Sequence, residues 1–480
     1  MVVKAVGKLL NIQPAIENPV TIQESLTYEG NALKNKIWYR GDPSELDQFF
    51  KRTANDSVSK SRFWAASPTR GLSIRKIHSG LPSMIVDKIS DIVVADIDNI
   101  EVNSSVWDEI REENMFDELV GESIAETLVV GDGAFKITID NEISKHPIIE
   151  FIDGGELQYV YKRGRLQEIV FYSNQVYKNR TYKLEEHYGR GYIKYKLLND
   201  NDKEVPLSTI PGLNLLDVTY ESDFMMAVPL KFFKSPKWEG RGKSIYDTKS
   251  DNFDKLDETI SQWTDAVRDG RVQKYIPEDL IPRNPDTGEL MQPNSFDNKF
   301  IKVGSSLSED AKEKIDMIQP SINYEAFVNT YASDLDMCLQ GIISPSTLGI
   351  DLKKTDNAES QREKEKTTLY TRGKVIDSLT KVIPQVIDVV LKTEDILYER
   401  VPGDYEASIK FGEYASPSFD TVVETVGKAK QYGVMSIEKS VEELYGDTMT
   451  DEEKIEEIKR IKEQTGIITL DEPEVGLDNE

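Results

Sequence analysis

Residues 344–366 read Ser344-Pro345-Ser346-Thr347-Leu348-Gly349-Ile350-Asp351-Leu352-Lys353-Lys354-Thr355-Asp356-Asn357-Ala358-Glu359-Ser360-Gln361-Arg362-Glu363-Lys364-Glu365-Lys366. The change of character inside this stretch decides how the rest of the chain is read. Its first half is a polar loop carrying two adjacent lysines, and its second half is dense in helix formers. Asp356, with Glu359 three residues on, fits a reciprocal cap at the start of a helix. Downstream, Leu369, Ile376, Leu379, Ile383, Val386, Ile387 and Val390 recur at helical spacing. Pro384 sits inside that pattern, where it removes one donor and crowds the preceding turn, so a kink is expected there.

Bulk properties bound the remainder. At 480 residues the chain exceeds one compact core, and two or more domains are expected. No run of eighteen apolar residues occurs, and the stretch from Met1 to Leu10 lacks the apolar region of a signal peptide. A soluble cytosolic protein without membrane contact is therefore expected. The single cysteine, Cys338, allows no intrachain disulfide and lies in an apolar helical pattern, which reads as a buried inert thiol. The formal charge of −26 argues against a conventional reader of nucleic acid, because phosphate neutralisation needs cations. It is compatible with an acidic conduit past which nucleic acid slides without sticking. It is equally compatible with charge that only keeps a large protein in solution.

Along the chain, residues 1–55 read as an arm of weak periodicity containing Trp38-Tyr39-Arg40-Gly41-Asp42 and a short helix over 42–51. Apolar spacing predicts helices over 82–94 and 105–130. After Gly131-Asp132-Gly133, short β-branched and aromatic runs at 134–139, 147–152, 157–161, 168–172, 181–184 and 192–196 predict one antiparallel meander. The order, helices first and sheet after, gives an α+β class for residues up to about 240. Phe253, Leu256, Ile260, Trp263 and Val267 predict a helix over 244–269, about 39 Å long at 1.5 Å per residue. A turn-rich excursion with short strands at 272–276 and 299–303 leads to a second helix over 323–341. Two long helices flanking a small mixed module form a candidate stalk. A strand over 405–414, further helices from Pro417, and an acidic tail without fixed structure over the last ten residues complete the reading.

Catalytic signals are missing from the sequence. Gly240-Arg241-Gly242-Lys243-Ser244 invites a phosphate-loop reading, but Lys237 stands where a Walker loop needs glycine. A tight turn before a helix explains it better. His78, His146 and His187 show no metal-ligand spacing, so neither a metal nor a cofactor is expected. No nucleophile elbow or dinucleotide fingerprint occurs. The expectation is a protein that is not an enzyme.

Read in order, the chain resembles the portal proteins of tailed bacteriophages, of the siphophage type found in phages of Gram-positive hosts. The resemblance covers roughly residues 30–465 and rests on a colinear set. Its members are Trp38–Asp42, Gly242-Lys243-Ser244-Ile245 with Asp257, Ser261 and Arg268, then Ser344–Gly349, Asn357–Arg362, Gly433-Val434-Met435-Ser436 and Glu456–Ile461. Each piece is weak alone.

The resemblance implies the portal fold: an N-terminal arm (1–55), an α+β wing (56–240), stem helices at 241–269 and 323–343, and a small mixed clip (270–322) between them. It further implies a tunnel loop (344–356), a long kinked wing helix (357–404), and a strand with a helical crown and disordered acidic tail (405–480). It implies a homo-oligomeric ring, usually a dodecamer, at the unique capsid vertex of the virion, assembled in the host cytoplasm. That ring would pass double-stranded DNA during packaging and ejection without reading its sequence. Implied partners are the terminase large subunit, which supplies the ATP-driven force, a head-tail adaptor, and the major capsid or scaffold protein. Lys353 and Lys354 are the candidate contacts to the DNA backbone in the tunnel loop; the alternative is that they are ordinary solvated loop residues. A different class stays open as well: an acidic, non-enzymatic virion or tail scaffold protein with no DNA channel.

Overall fold

The computed structural model describes residues 26–53, 62–67, 75–213, 215–291, 301–304, 315–350, 358–412, 419–445 and 449–464. In chain order they form α1 (Tyr28–Arg40), α2 (Pro43–Thr53), α3 (Leu81–Ala95), β1 (Ile97–Val102), α4 (Trp107–Glu113) and α5 (Phe116–Val130). Then come β2 (Asp132–Thr138), β3 (Ile148–Asp153), β4 (Leu157–Lys162), β5 (Arg165–Tyr177), β6 (Arg180–Gly189), β7 (Tyr192–Leu198), β8 (Glu204–Val205), β9 (Val218–Thr219) and β10 (Ala227–Lys231). The second half contains α6 (Ser250–Asp269), β11 (Gln273–Pro277), β12 (Ile301–Val303), β13 (Asp316–Ile318), α7 (Tyr324–Leu339), α8 (Ala358–Leu397), β14 (Ala407–Phe411), α9 (Phe419–Gln431), α10 (Ile437–Tyr445) and α11 (Asp451–Gln464). The class is mixed α+β.

Two compact units divide after Phe411. In the first, one apolar core joins the helices to three sheets. Its interior includes Trp38, Ile85, Phe116, Ile124, Phe135, Tyr188, Tyr246, Phe253 and the α8 residues Leu379, Ile383 and Val386. Burial of so many large apolar side chains supplies the main driving force for this unit. In the second unit, α10 packs against both α9 and α11. Helix α11 opens on a reciprocal cap: Glu453 N donates to Thr450 Oγ1 at 3.4 Å, and Thr450 N donates to Glu453 Oε2 at 2.9 Å.

Several expectations need correction. The helix expected over 105–130 is two helices, because Met115 takes a left-handed backbone at φ 46 and breaks the run. The single meander is two sheets. β2 sits between β10 and β3, while β4 to β8 form a separate sheet. Residues 28–40, read as part of a weakly periodic arm, are a helix whose Trp38 is fully buried. Its core side carries the polar Asn31 and Asn35, which blunted the apolar pattern. Helix α6 starts at Ser250 rather than at 244, so its 20 residues span about 30 Å. Helix α8 is 40 residues long with Pro384 inside it. The cap residue Asp356 lies outside the described residues.

Candidate functional site

Helices α6 and α7 run antiparallel. Gly270, just after α6, lies against Ile322, just before α7, so closely that an added Cβ would sit 2.3 Å from Ile322 Cδ1. At the opposite end, Lys249 Nζ donates to the carbonyls of Met337 and Gln340 at 2.7 and 2.8 Å, and Asn252 Nδ2 donates to Met337 O at 3.0 Å. Those bonds satisfy carbonyls that the end of α7 leaves open. Between the ends, Trp263 stacks on Phe327 with centroids 6.1 Å apart. Asp334, almost fully buried, accepts from Thr259 Oγ1 at 2.7 Å and pairs with Lys255 Nζ at 2.7 Å. Cys338 is buried near these groups, and burial pushes its thiol up to about 12.

The first half of α6 is a polar clamp. Asp257, fully buried, accepts from Trp64 Nε1 at 3.1 Å and Ser79 N at 2.9 Å, and lies 2.7 Å from His78 Nδ1. Asp254 accepts from the backbone N–H groups of Phe63 and Trp64. Ser261 Oγ accepts from Ile77 N at 2.9 Å. One turn of helix after another thus fixes segments 62–67 and 75–80, which have no regular structure of their own to satisfy their backbone groups. Asp257 and Ser261 belong to the motif set read from the sequence, and this clamp is their physical role.

The Gly-Lys-Ser segment is a second hub. Arg241 makes a two-pronged pair with fully buried Asp132, Nε to Oδ2 at 3.0 Å and Nη2 to Oδ1 at 2.9 Å, and also donates to Leu157 O and Gly154 O. Gly242 N donates to the same Asp132 carboxylate. Ser244 Oγ donates to Val129 O, and Asp247 accepts from Asn31, Asn35 and Ser244 N. Gly131, at φ 120, must lack a Cβ, because Gly242 O would lie 2.9 Å from it. The donors a phosphate loop would present are consumed here, so the tight-turn reading holds. Sequence reasoning did not single out Asp132 as a partner; the buried pair spans 109 positions and has no local signature.

The candidate DNA-contact residues Lys353 and Lys354 lie outside the described residues. The approach to them is fixed. Residues Pro345–Leu348 form a 3-10 turn closed by Gly349 in the left-handed region. Ser344 N donates to Thr368 Oγ1 at 2.9 Å, Thr347 and Thr368 share a hydroxyl bond at 3.0 Å, and Thr371 Oγ1 donates to Ile342 O at 2.6 Å. Stretch 342–350 is therefore tied to α8 before the lysines are reached.

The tip of the α6–α7 pair has the opposite character. β11 pairs parallel with β12 and antiparallel with β13, giving a three-stranded sheet. Around it, Val267, Ile315, Met317, Ile318 and Tyr324 are exposed, Met317 at 65% and Tyr324 at 63%. Among the described residues, no group of three or more His, Cys, Asp or Glu side chains is placed to hold a metal, and no helix is long and apolar enough to cross a membrane.

No protein-family model and no curated protein matches the chain. Among solved structures it is similar to a chain described as "Virion of native gene transfer agent (GTA) particle", at 12% identity and a TM-score of 0.38, over 95% of this chain and 98% of that one. A chain of "Neck of native GTA particle computed with C12 symmetry" gives 12% identity and a TM-score of 0.37, over 79% and 90%. Likeness of this size carries no argument about function, which has to be made from the residues.

Proposed function

We propose that the chain is the subunit of a phage portal ring, closing with further copies of itself around a channel for double-stranded DNA at the capsid vertex. The observation that carries this reading is the α6–α7 pair: locked by polar contacts at its base and fringed with exposed apolar residues at its tip. Large exposed apolar side chains gathered at one tip suit an interaction surface, and heterologous contacts between identical subunits close into rings when the rotation between them closes. The colinear motif set supports the same reading, because it assigns the pair to a stem and the sheet to a clip.

In this proposal the clip docks the terminase during filling and a head-tail adaptor afterwards, and the chain itself catalyses nothing. The threonine ties on α8 hold the root of a tunnel loop, so that Lys353 and Lys354 from many copies ring the narrowest point. Their contacts to phosphates would be indifferent to sequence, as passage of any genome requires. Negative-stain particle images of the purified chain test the reading. Rings with a central opening are expected, whereas a uniform population of single subunits would refute it. Replacing both lysines with alanine tests the contact role separately: packaging or DNA retention is expected to fall while ring formation persists.

A further inference from the structure

Beside the hub of the Gly-Lys-Ser segment lies a cleft of about 860 Å³, bounded by residues 232–249, the end of α7 and the 367–374 part of α8. Four lysines line it: Lys234, Lys243, Lys249 and Lys374. No aspartate or glutamate does. The chain has 85 acidic and 59 basic residues, so a cleft lined by lysines and no carboxylate runs against its overall charge. Some lysines elsewhere in the same unit pair with a carboxylate, as with Lys36 and Asp153, Lys76 and Asp47, and Lys136 and Glu186. None of the four cleft lysines has a carboxylate partner among the described residues. A cleft lined by four cations and no carboxylate presents a positive field that favours an anion.

The four differ in how they are used. Lys249 is spent on the carbonyls at the end of α7, and burial together with nearby Lys243 draws its ammonium below the ordinary lysine range. Lys374 lies 5.6 Å from the centroid of the Phe233 ring, and Lys234 and Lys374 are exposed. Lys243 is half-buried, anchored by its backbone N–H on Phe233 O at 2.8 Å, which leaves its ammonium uncommitted. Three ammonium groups therefore remain available in a cleft that Phe232 and Phe233 also line. Low-dielectric walls of that kind concentrate the field of the charges they carry.

We propose that this cleft is a phosphate-binding site, taking a phosphate group through Lys234, Lys243 and Lys374. Its chemistry is separate from the Walker arrangement, whose backbone donors are consumed internally. It is also independent of the channel reading, because it requires neither a ring nor the loop lysines. The phosphate could be free or carried on a nucleic-acid backbone, and the two sources are distinguished by experiment.

The test titrates the full chain with inorganic pyrophosphate by calorimetry, and with a short labelled DNA duplex by fluorescence anisotropy. Lys243→Ala/Lys374→Ala is compared with a control pair on the other sheet, Lys178→Ala/Lys194→Ala. Saturable pyrophosphate binding is expected, weakened roughly tenfold or more in the cleft variant, as loss of two phosphate-neutralising cations implies, and unchanged in the control. Duplex binding displaced by pyrophosphate would assign the phosphate to a backbone; binding of pyrophosphate alone would assign it to a free anion. Absence of saturable binding by either probe, or binding that the cleft variant leaves intact, overturns the site. Should that variant unfold, Lys234→Ala, at an exposed position, gives the same readout.

Discussion

The two halves of helix α6 are built on opposite principles. From Ser250 to Ser261 its inward side buries Phe253 and Leu256 beside a hydrogen-bonded polar set, with Asp254 and Asp257 accepting from segments far away in sequence. From Trp263 onward its aromatic contacts among the described residues are with α7, and beyond Asp269 the chain carries apolar side chains out into solvent. One half is complete within a single subunit. The other leaves large apolar side chains exposed. If the proposed ring forms, folding and assembly are assigned to separate surfaces along one helix, so that each can be damaged without the other.

Substitutions can break that comparison. The largest loss of stability is expected at the second buried hub. Arg241→Ala leaves the fully buried Asp132 carboxylate without its cation and should cost about 3–5 kcal/mol in urea unfolding; a loss below about 1 kcal/mol would mean the hub does not hold the fold. Asp257→Ala removes the acceptor for Trp64 and Ser79 and the partner of His78, for an expected cost of about 2–3 kcal/mol. Increased amide exchange should be concentrated in residues 62–67 and 75–80.

Thr371→Val deletes the bond to Ile342 O and should cost about 1 kcal/mol, with exchange rising over 342–350 and not at the α6 clamp. Met317→Glu is the smallest in stability, within about 0.5 kcal/mol, since the side chain is exposed. It is nevertheless expected to abolish assembly into rings, measured by native mass spectrometry. If Met317→Glu unfolds the chain, or leaves assembly untouched, the division between the two surfaces fails.

How much of this was legible in the sequence follows from the range of the interactions. Helices α6, α7 and α8 announce themselves through apolar residues at intervals of three and four, a local signal. Helix α1 does not, because Asn31 and Asn35 face Asp247 across more than two hundred positions. The true start of α6 was hidden for a related reason: Ser244 and Asp247 belong to the hub and keep their segment out of the helix. Strand β10 contains Pro229, which argues against a strand from sequence alone; it is tolerated because β10 lies at a sheet edge. Strand β1 pairs with β14 about three hundred residues away, and no short-range pattern encodes that partnership. Of the candidate site, Asp257 and Ser261 stood out as motif members, but their role as a clamp became visible only with their partners in place. The basic cleft was not legible at all, since its four lysines come from separate turns and from α8.

The central claim is that copies of this chain close around an open axis. Class averages of the purified protein viewed down that axis test it most directly. The account predicts closed rings with a hole wide enough for a DNA duplex, formed by the native chain and lost on Met317→Glu. A native chain that remains a single subunit at every concentration, or that forms aggregates without a central opening, would contradict it.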